Sequence, residues 1–236
     1  MIRADLRSNL LPGDLDVMLA ALADGSTQRR AELERRLTEQ GPDALLDAPE
    51  LLERLVALRS VMVPSQRLFL YVAMRHYLRA SGLDDRDLTD YLASLVLAFG
   101  DRDRAVRIAG HDDQQHAFLV DILADLEASA GERRFMVMVH LGNRALWLAG
   151  LFPDYIAARR ARHGGPDVSY YDSMGRRGFG MASEHALAER FGLGEVFRTA
   201  AERFVALRAA LNGVSDRFLF PGVMTEGRIM RELGVH

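Results

Sequence analysis

The sequence contains no cysteine and no lysine among its 236 residues. Without cysteine the chain has no disulfide, no thiolate nucleophile and no cysteine-ligated zinc or iron–sulfur cluster. Without lysine it has no side-chain amine for Schiff-base catalysis and no phosphate-binding lysine of a P-loop. Every basic residue other than histidine is therefore an arginine, and a GC-rich coding bias is the simplest reason.

Long apolar runs and a strong net charge are missing as well. No apolar run approaches the length of a membrane span, and the opening "MIRADLRSNLLPGDLD" lacks the apolar core of a secretory signal. We therefore expect a cytoplasmic protein with no membrane association. The formal net charge of -3 gives no overall attraction to nucleic acid, so any such binding has to be regional.

Runs of β-branched residues with strand alternation are absent, whereas apolar residues recur at helical spacing along most of the chain. The sequence therefore predicts an all-α fold, a multi-helix bundle formed by a single domain over residues 1–236. Within this domain we expect a more charged helical cap over 1–62, a core bundle over 63–213 and a docked or partly ordered tail over 214–236.

Capping residues predict several helix ends. Ser26 precedes the charged segment "TQRRAELERRLTEQ", and Ser65 precedes a helix that Gly82 ends. A helix over 132–152 is apolar on nearly all sides, which is typical of a central helix covered by its neighbours. Pro153 marks its end, the basic segment "ARRARHGGPD" is predicted to be a connection, and "LGEVFRTAAERFVALRAALNG" is predicted to be one helix.

Small residues recur at helical spacing in the segment 168–190. If this segment is a helix capped by Asp167 or Ser169, one face carries Tyr171, Met174, Gly175, Gly178, Ala182 and His185. Glycine inside a helix costs about 1 kcal/mol relative to alanine, so these glycines need a reason. We expect close packing against the small residues of the central helix, namely Gly142, Ala145 and Ala149. The alternative, a phosphate-binding loop "GRRGFG", lacks the preceding strand that such loops need.

The central helix carries a polar trio, His140, Asn143 and Arg144, at spacings of three and four residues. A buried guanidinium or imidazole without partners is costly, so something has to pair with this trio. In one interpretation Arg144 pairs with a carboxylate that fixes the helix register. In the other, a pocket between the 132–152 and 168–190 helices binds a small anionic or polar ligand, and its residues are His140, Asn143, Arg144, Tyr171, Asp172 and Arg176.

Inward histidines suggest a second class of function, a metal- or haem-dependent helical oxidase. On a helix, Asp112 and His116 lie one turn apart, and with His111 they form a candidate site for iron or manganese. His76 shares a face with apolar residues and is a candidate haem ligand. The competing interpretations are an N-terminal helix cap for "HDD" and an ordinary core histidine for His76. No Glu-x-x-His pattern of a di-metal bundle is present.

Arginines are densest between residues 159 and 177. This cluster could hold phosphates of RNA or DNA, but a platform of interleaved aromatic residues and a recognition-helix motif are missing, which favours a solvated charged face. A protein partner or a homodimer is also compatible with the sequence. The cluster consists of Arg159, Arg160, Arg162, Arg176 and Arg177.

The segment "GNRALWLAGLFPDYIAARR" is followed by "YYDSMGRRGF". Together they resemble a pattern of uncharacterised bacterial all-helical proteins, in which a Gly-Leu-Phe-Pro turn precedes a Tyr-Tyr-x-x-Met-Gly segment. The resemblance covers roughly residues 139–183 and implies no known activity. It favours this segment as the functional part of the chain and implies no catalytic residue. From the polar trio and the small residues we expect a soluble binding or regulatory protein whose site lies between the 132–152 and 168–190 helices.

Overall fold

The fold is all-α, as predicted. The computed structural model describes residues 2–58, 63–108, 112, 114–222 and 225–232. In this part of the chain 76% of the structure is helical, with fifteen α-helices and no strand. The fold class therefore follows from the helical spacing of the apolar residues.

The chain divides into two compact units. The N-terminal unit is Arg3–Leu97, and the C-terminal unit is the chain from Ala98 onward together with Ile2. This grouping places residues 63–97 with the N-terminal helices. The single-domain organisation with a cap, a core bundle and a tail stays a prediction.

The N-terminal unit is built from helices whose starts follow local capping rules. The Oγ atoms of Ser26 and Ser65 accept hydrogen bonds from the third residue beyond each, at 3.3 and 3.1 Å, as their sequence context predicts. Two residues at the end of the last helix belong to the C-terminal unit. The helices are α1 Pro12–Ala23, α2 Thr27–Gln40, α3 Asp43–Leu46, α4 Leu51–Leu58, α5 Gln66–Ala80 and α6 Arg86–Phe99.

In the C-terminal unit four helices, α8, α10, α11 and α14, pack against the longest one, α9. A π-helical turn, Ser215–Leu219, follows α14. The helices are α7 Arg102–Val106, α8 Leu119–Ala128, α9 Gly131–Leu151, α10 Pro153–His163, α11 Val168–Ser183, α12 Ala186–Arg190, α13 Gly194–Glu202, α14 Phe204–Val214 and α15 Glu226–Glu232.

Two segments differ from the sequence predictions. The basic segment predicted to be a connection is mostly helix α10, in which Pro153 is the first residue, Asp154 lies in the first turn and arginines lie in the last. Proline is well suited to the first turn of a helix, so Pro153 begins a helix as well as following one.

The predicted single helix over 193–213 breaks at Arg203, whose φ and ψ are -103° and 19°.

Helix α9 is buried over most of its length but is not apolar on nearly all sides. Its buried residues include His140, Asn143 and Arg144, which are 3%, 2% and 8% exposed. The prediction of a near-fully apolar helix is therefore not confirmed, although this helix does contact the four others named above.

Helix lengths and hydropathy bear on membrane insertion. Among the described residues, no single helix combines the length and the hydropathy of a membrane span. In the described part of the chain one pair of helices, α9 and α10, reaches the length and hydropathy of a span when the two are joined, and the pair is bent by 90°.

Candidate functional site

Helices α9 and α11 approach each other so closely that only glycine fits at the crossing. A Cβ atom on Gly178 would lie 2.5 Å from the backbone nitrogen of Gly142 and 2.8 Å from the carbonyl oxygen of Met138. A Cβ atom on Gly142 would lie 2.7 Å from the ring of Phe179. The two glycines therefore set the separation of the two helices, as the small residues predict.

Other residues of the predicted small stripe lie against different neighbours. A Cβ atom on Gly175 would lie 2.0 Å from the ring of Phe204, which belongs to α14. His185 is not on α11, because α11 ends at Ser183 and the imidazole of His185 caps α12 by accepting from the backbone of Leu187 at 3.2 Å. The prediction that one helical face carries all six residues is wrong for His185.

Arg144 is a buried cation without a carboxylate partner in the part of the chain that the structure describes. The residue is 8% exposed, and its Nε atom is fully buried without a hydrogen-bond partner. The guanidinium carbon lies 5.0 Å from the ring centre of Trp147, a cation–π contact. Burial lowers the pKa of Arg144 below its ordinary value.

Three more side chains from α10 and α11 interact electrostatically with this region: the hydroxyls of Tyr155 and Tyr171 act on the pKa of Arg144, and Arg159 acts on the pKa of Tyr171. Burial raises the pKa of Tyr171, which is 4% exposed, and the charges of Arg159 and Arg144 act in the opposite direction. Tyr155 influences the pKa of the same hydroxyl. Arg159 is half-buried over the ring of Phe118 at 4.8 Å and has no ion pair with a described residue. We call Arg144, Trp147, Tyr155, Arg159 and Tyr171 the arginine corner.

His140 and Asn143 line a small pocket in the C-terminal unit, and Arg144 is not among its lining residues. The pocket has a volume of about 10 Å³, which is room for about one water molecule, and no residue of α11 lines it. The Nε2 atom of His140 is buried without a hydrogen-bond partner among the described residues. The other lining residues are Ile2, Arg104, Ile108, Met136 and Val139.

Acid should destabilise the chain through His140. Burial, followed by the charges of Arg104 and Arg144, holds the pKa of His140 well below its ordinary value of 6.5, so the folded chain keeps this imidazole neutral. The unfolded chain takes up a proton below about pH 6.5, and the free energy of unfolding then falls by about 1.4 kcal/mol per pH unit. Urea unfolding between pH 7.5 and 5.5 measures the loss. His140→Gln should flatten this slope, whereas the exposed His163→Gln should leave it unchanged.

Two of the predicted site residues, Asp172 and Arg176, are not part of the arginine corner. Asp172 accepts a hydrogen bond from Nε of Arg208 at 2.9 Å, so its carboxylate pairs with an arginine of α14. Arg176 is exposed on α11. The structure therefore brings Arg144 and Tyr171 near each other but gives Asp172 a different partner.

Two of the candidate metal residues, Asp112 and His116, do not lie on a helix. Helix α8 begins at Leu119, so the one-turn spacing of Asp112 and His116 does not hold, and His111 lies outside the described residues. The Asp112 carboxylate accepts a hydrogen bond from Nη1 of Arg133 at 2.6 Å. The fully buried His116 has Nε2 at 3.2 Å from Oδ2 of Asp125, within ion-pair distance but without hydrogen-bond geometry.

Arg133 donates hydrogen bonds to the carboxylates of both Asp112 and Asp125. Burial opposes the ionisation of Asp125, but hydrogen bonds from Arg133 and Ser129 keep the pKa of its carboxyl below the ordinary value. Among the described residues no group of three histidine, aspartate or glutamate side chains is placed to hold a metal ion. The roles of iron, manganese and haem stay predictions.

The predicted site did not include three members of the arginine corner, Trp147, Tyr155 and Arg159. Tyr155 and Arg159 lie on α10, the second half of which was predicted to be a connection, and Arg159 was assigned to a surface cluster. A sequence pattern typical of a helix was present: Pro153 and Asp154 at its start, basic residues in its last turn and Gly164 directly after it.

Comparison with known proteins gives no match, because no family model, curated protein or solved structure is similar to this chain. The resemblance to bacterial proteins with the Gly-Leu-Phe-Pro turn stays a prediction. What the described residues define is an all-α chain with a buried arginine that no described carboxylate neutralises.

Proposed function

We infer that this chain is a binding or regulatory protein that holds a small anionic ligand at the arginine corner, where α9, α10 and α11 meet. The observation that carries this proposal is Arg144, a buried guanidinium with no ion pair to a described residue. An unpaired buried charge is costly, and an oxyanion would offset that cost. Guanidinium groups bind carboxylates and phosphates through two parallel hydrogen bonds.

The other residues of the corner support the same chemistry. Arg159 supplies a second guanidinium without an ion pair to a described residue, and Tyr171 supplies a hydroxyl that stays protonated because burial raises its pKa. Trp147 holds the Arg144 guanidinium against its ring, which limits the rotamers of the long side chain. Two cations and a hydroxyl donor without a carboxylate favour an anion over a neutral polar ligand.

Binding of inorganic phosphate tests the proposal. We expect phosphate to raise the melting temperature of the chain in a saturable way at constant ionic strength, because a ligand that binds only the folded state stabilises it. Arg144→Met should weaken phosphate binding by about tenfold or more, the loss of one charge-assisted interaction. Thermal shift and calorimetric titration measure both effects.

Arg162→Met is the matched control, because it removes one exposed arginine of α10 outside the corner. It should bind phosphate as the parent chain does. Equal weakening by both variants would mean that the net charge, and not the corner, attracts the anion. Citrate and acetate titrations then distinguish phosphate recognition from carboxylate recognition at the same site.

A further inference from the structure

The N-terminal unit contains a second, larger pocket, which lies between α5 and the segment that joins α3 to α4. Its volume is about 240 Å³, and its mouth is partly open to solvent. Most of the wall is apolar. The apolar lining residues are Leu46, Ala48, Pro49, Leu52, Val72 and Ala80.

Arg75 forms the buried polar part of the wall. The residue is 3% exposed, its Nε atom donates to Asp47 at 2.8 Å, and Nη2 donates to Asp84. The Nη1 atom is buried and has no hydrogen-bond partner among the described residues. Two carboxylates fix the position of this guanidinium, while its Nη1 atom donates to no described partner. Arg75 is therefore a rigid cation next to an apolar cavity.

The rim adds a second arginine. Arg79 is 40% exposed at its side chain, and its Nη1 atom donates to the carbonyl oxygen of Asp47 at 2.8 Å. His76 lies beside it, half-buried. Asp47 is the carboxylate among the lining residues, and its two oxygens accept from Arg75 and Arg86. The acid of the pocket is therefore neutralised, and the two lining arginines are also ion-paired, Arg75 with Asp47 and Asp84 and Arg79 with Asp84 at 3.9 Å. Of the two, Arg79 has the more exposed side chain, 40% against 4%.

The volume limits the size of an occupant. An engineered cavity of about 150 Å³ takes up benzene, which has six non-hydrogen atoms, so a pocket about 1.6 times larger accommodates about ten. Haem is far larger than this. The pocket is also too apolar for an inorganic ion alone, because the ion would lose its hydration water and gain polar contacts on only a small part of the wall.

We propose that this pocket binds a small amphipathic carboxylate of about ten non-hydrogen atoms, with its apolar chain against Leu52 and Val72 and its carboxylate at the arginine rim. This site is separate from the arginine corner, and its ligand is of a different shape. A medium-chain carboxylate such as octanoate has the required size and charge.

Calorimetric titration of the full chain with octanoate tests the proposal. We expect saturable binding that is about tenfold tighter than that of 1-octanol, because the alcohol keeps the apolar chain but lacks the charge. Arg79→Gln should weaken octanoate binding and leave octanol binding unchanged. Arg67→Gln is the matched control, since Arg67 is an exposed arginine on the same helix that does not line the pocket.

A blocking variant locates the ligand. Ala80→Phe places a ring at the exposed edge of the pocket and should abolish the binding of both compounds. If this variant does not fold by circular dichroism, Arg79→Gln carries the test. Octanoate binding without saturation, equal affinity for octanol, or equal loss in Arg67→Gln and Arg79→Gln would overturn the proposal. Arg144→Met should bind octanoate as the parent chain does. The octanoate proposal and the phosphate proposal can therefore be contradicted independently of each other.

Discussion

Gly178→Ala should lower the free energy of unfolding of the C-terminal unit by about 3 kcal/mol, the upper part of the range for overpacking a core. The added Cβ would lie 2.5 Å from a backbone nitrogen of Gly142 and 2.8 Å from a backbone oxygen of Met138. Backbone atoms cannot rotate away as a side chain does, so α9 and α11 have to separate. Thermal unfolding should show a melting temperature lower by about 6–12 °C.

Gly180→Ala is the matched control on the same helix. A Cβ atom on Gly180 would have no described residue within 4 Å, so the substitution keeps the contacts and adds the helix propensity of alanine, about 1 kcal/mol. We expect this variant to be as stable as the parent chain or more stable. If Gly178→Ala were as stable as Gly180→Ala, the close approach of α9 and α11 at Gly142 would be wrong.

Arg144→Met should stabilise the chain in a buffer without a binding anion. The substitution removes a buried charge that has no ion pair with a described residue, and it strands no described carboxylate. The loss of the cation–π contact with Trp147, about 0.5–2 kcal/mol, offsets part of this gain. We therefore expect a net increase of about 1–2 kcal/mol in the free energy of unfolding.

Urea unfolding of the parent chain, Arg144→Met and Arg162→Met measures this effect. Arg162 is exposed, so its replacement should change the free energy of unfolding by less than about 0.5 kcal/mol. A loss of several kcal/mol in Arg144→Met would instead support the interpretation in which Arg144 pairs with a carboxylate and fixes the helix register.

Local rules predicted much of the fold because they depend on neighbouring residues. Ser26 and Ser65 cap their helices as their positions indicate, and Asp167 caps α11 by accepting from the backbone of Tyr170 at 3.2 Å. No glycine or proline indicates the break at Arg203, so the break depends on how α13 and α14 pack in three dimensions. Such a break cannot be predicted from helical spacing alone.

The candidate site was predictable in its helix contact and not in its charge pairs. The spacing of small residues indicated the contact of Gly178 with Gly142, because only glycine allows two helix backbones to lie this close. Pairing of charges depends on residues far apart in sequence. Asp172 was predicted to belong to the same pocket as Arg144, but its carboxylate accepts a hydrogen bond from Arg208, thirty-six positions further on.

The free energy of unfolding of the parent chain and of Arg144→Met, measured over one series of phosphate concentrations at constant ionic strength, tests the arginine corner most directly. Arg144→Met should be more stable without phosphate, and the difference should shrink and then reverse as phosphate stabilises only the parent chain. If Arg144→Met is less stable throughout and both chains respond equally to phosphate, Arg144 is a structural residue and the corner does not bind an anion.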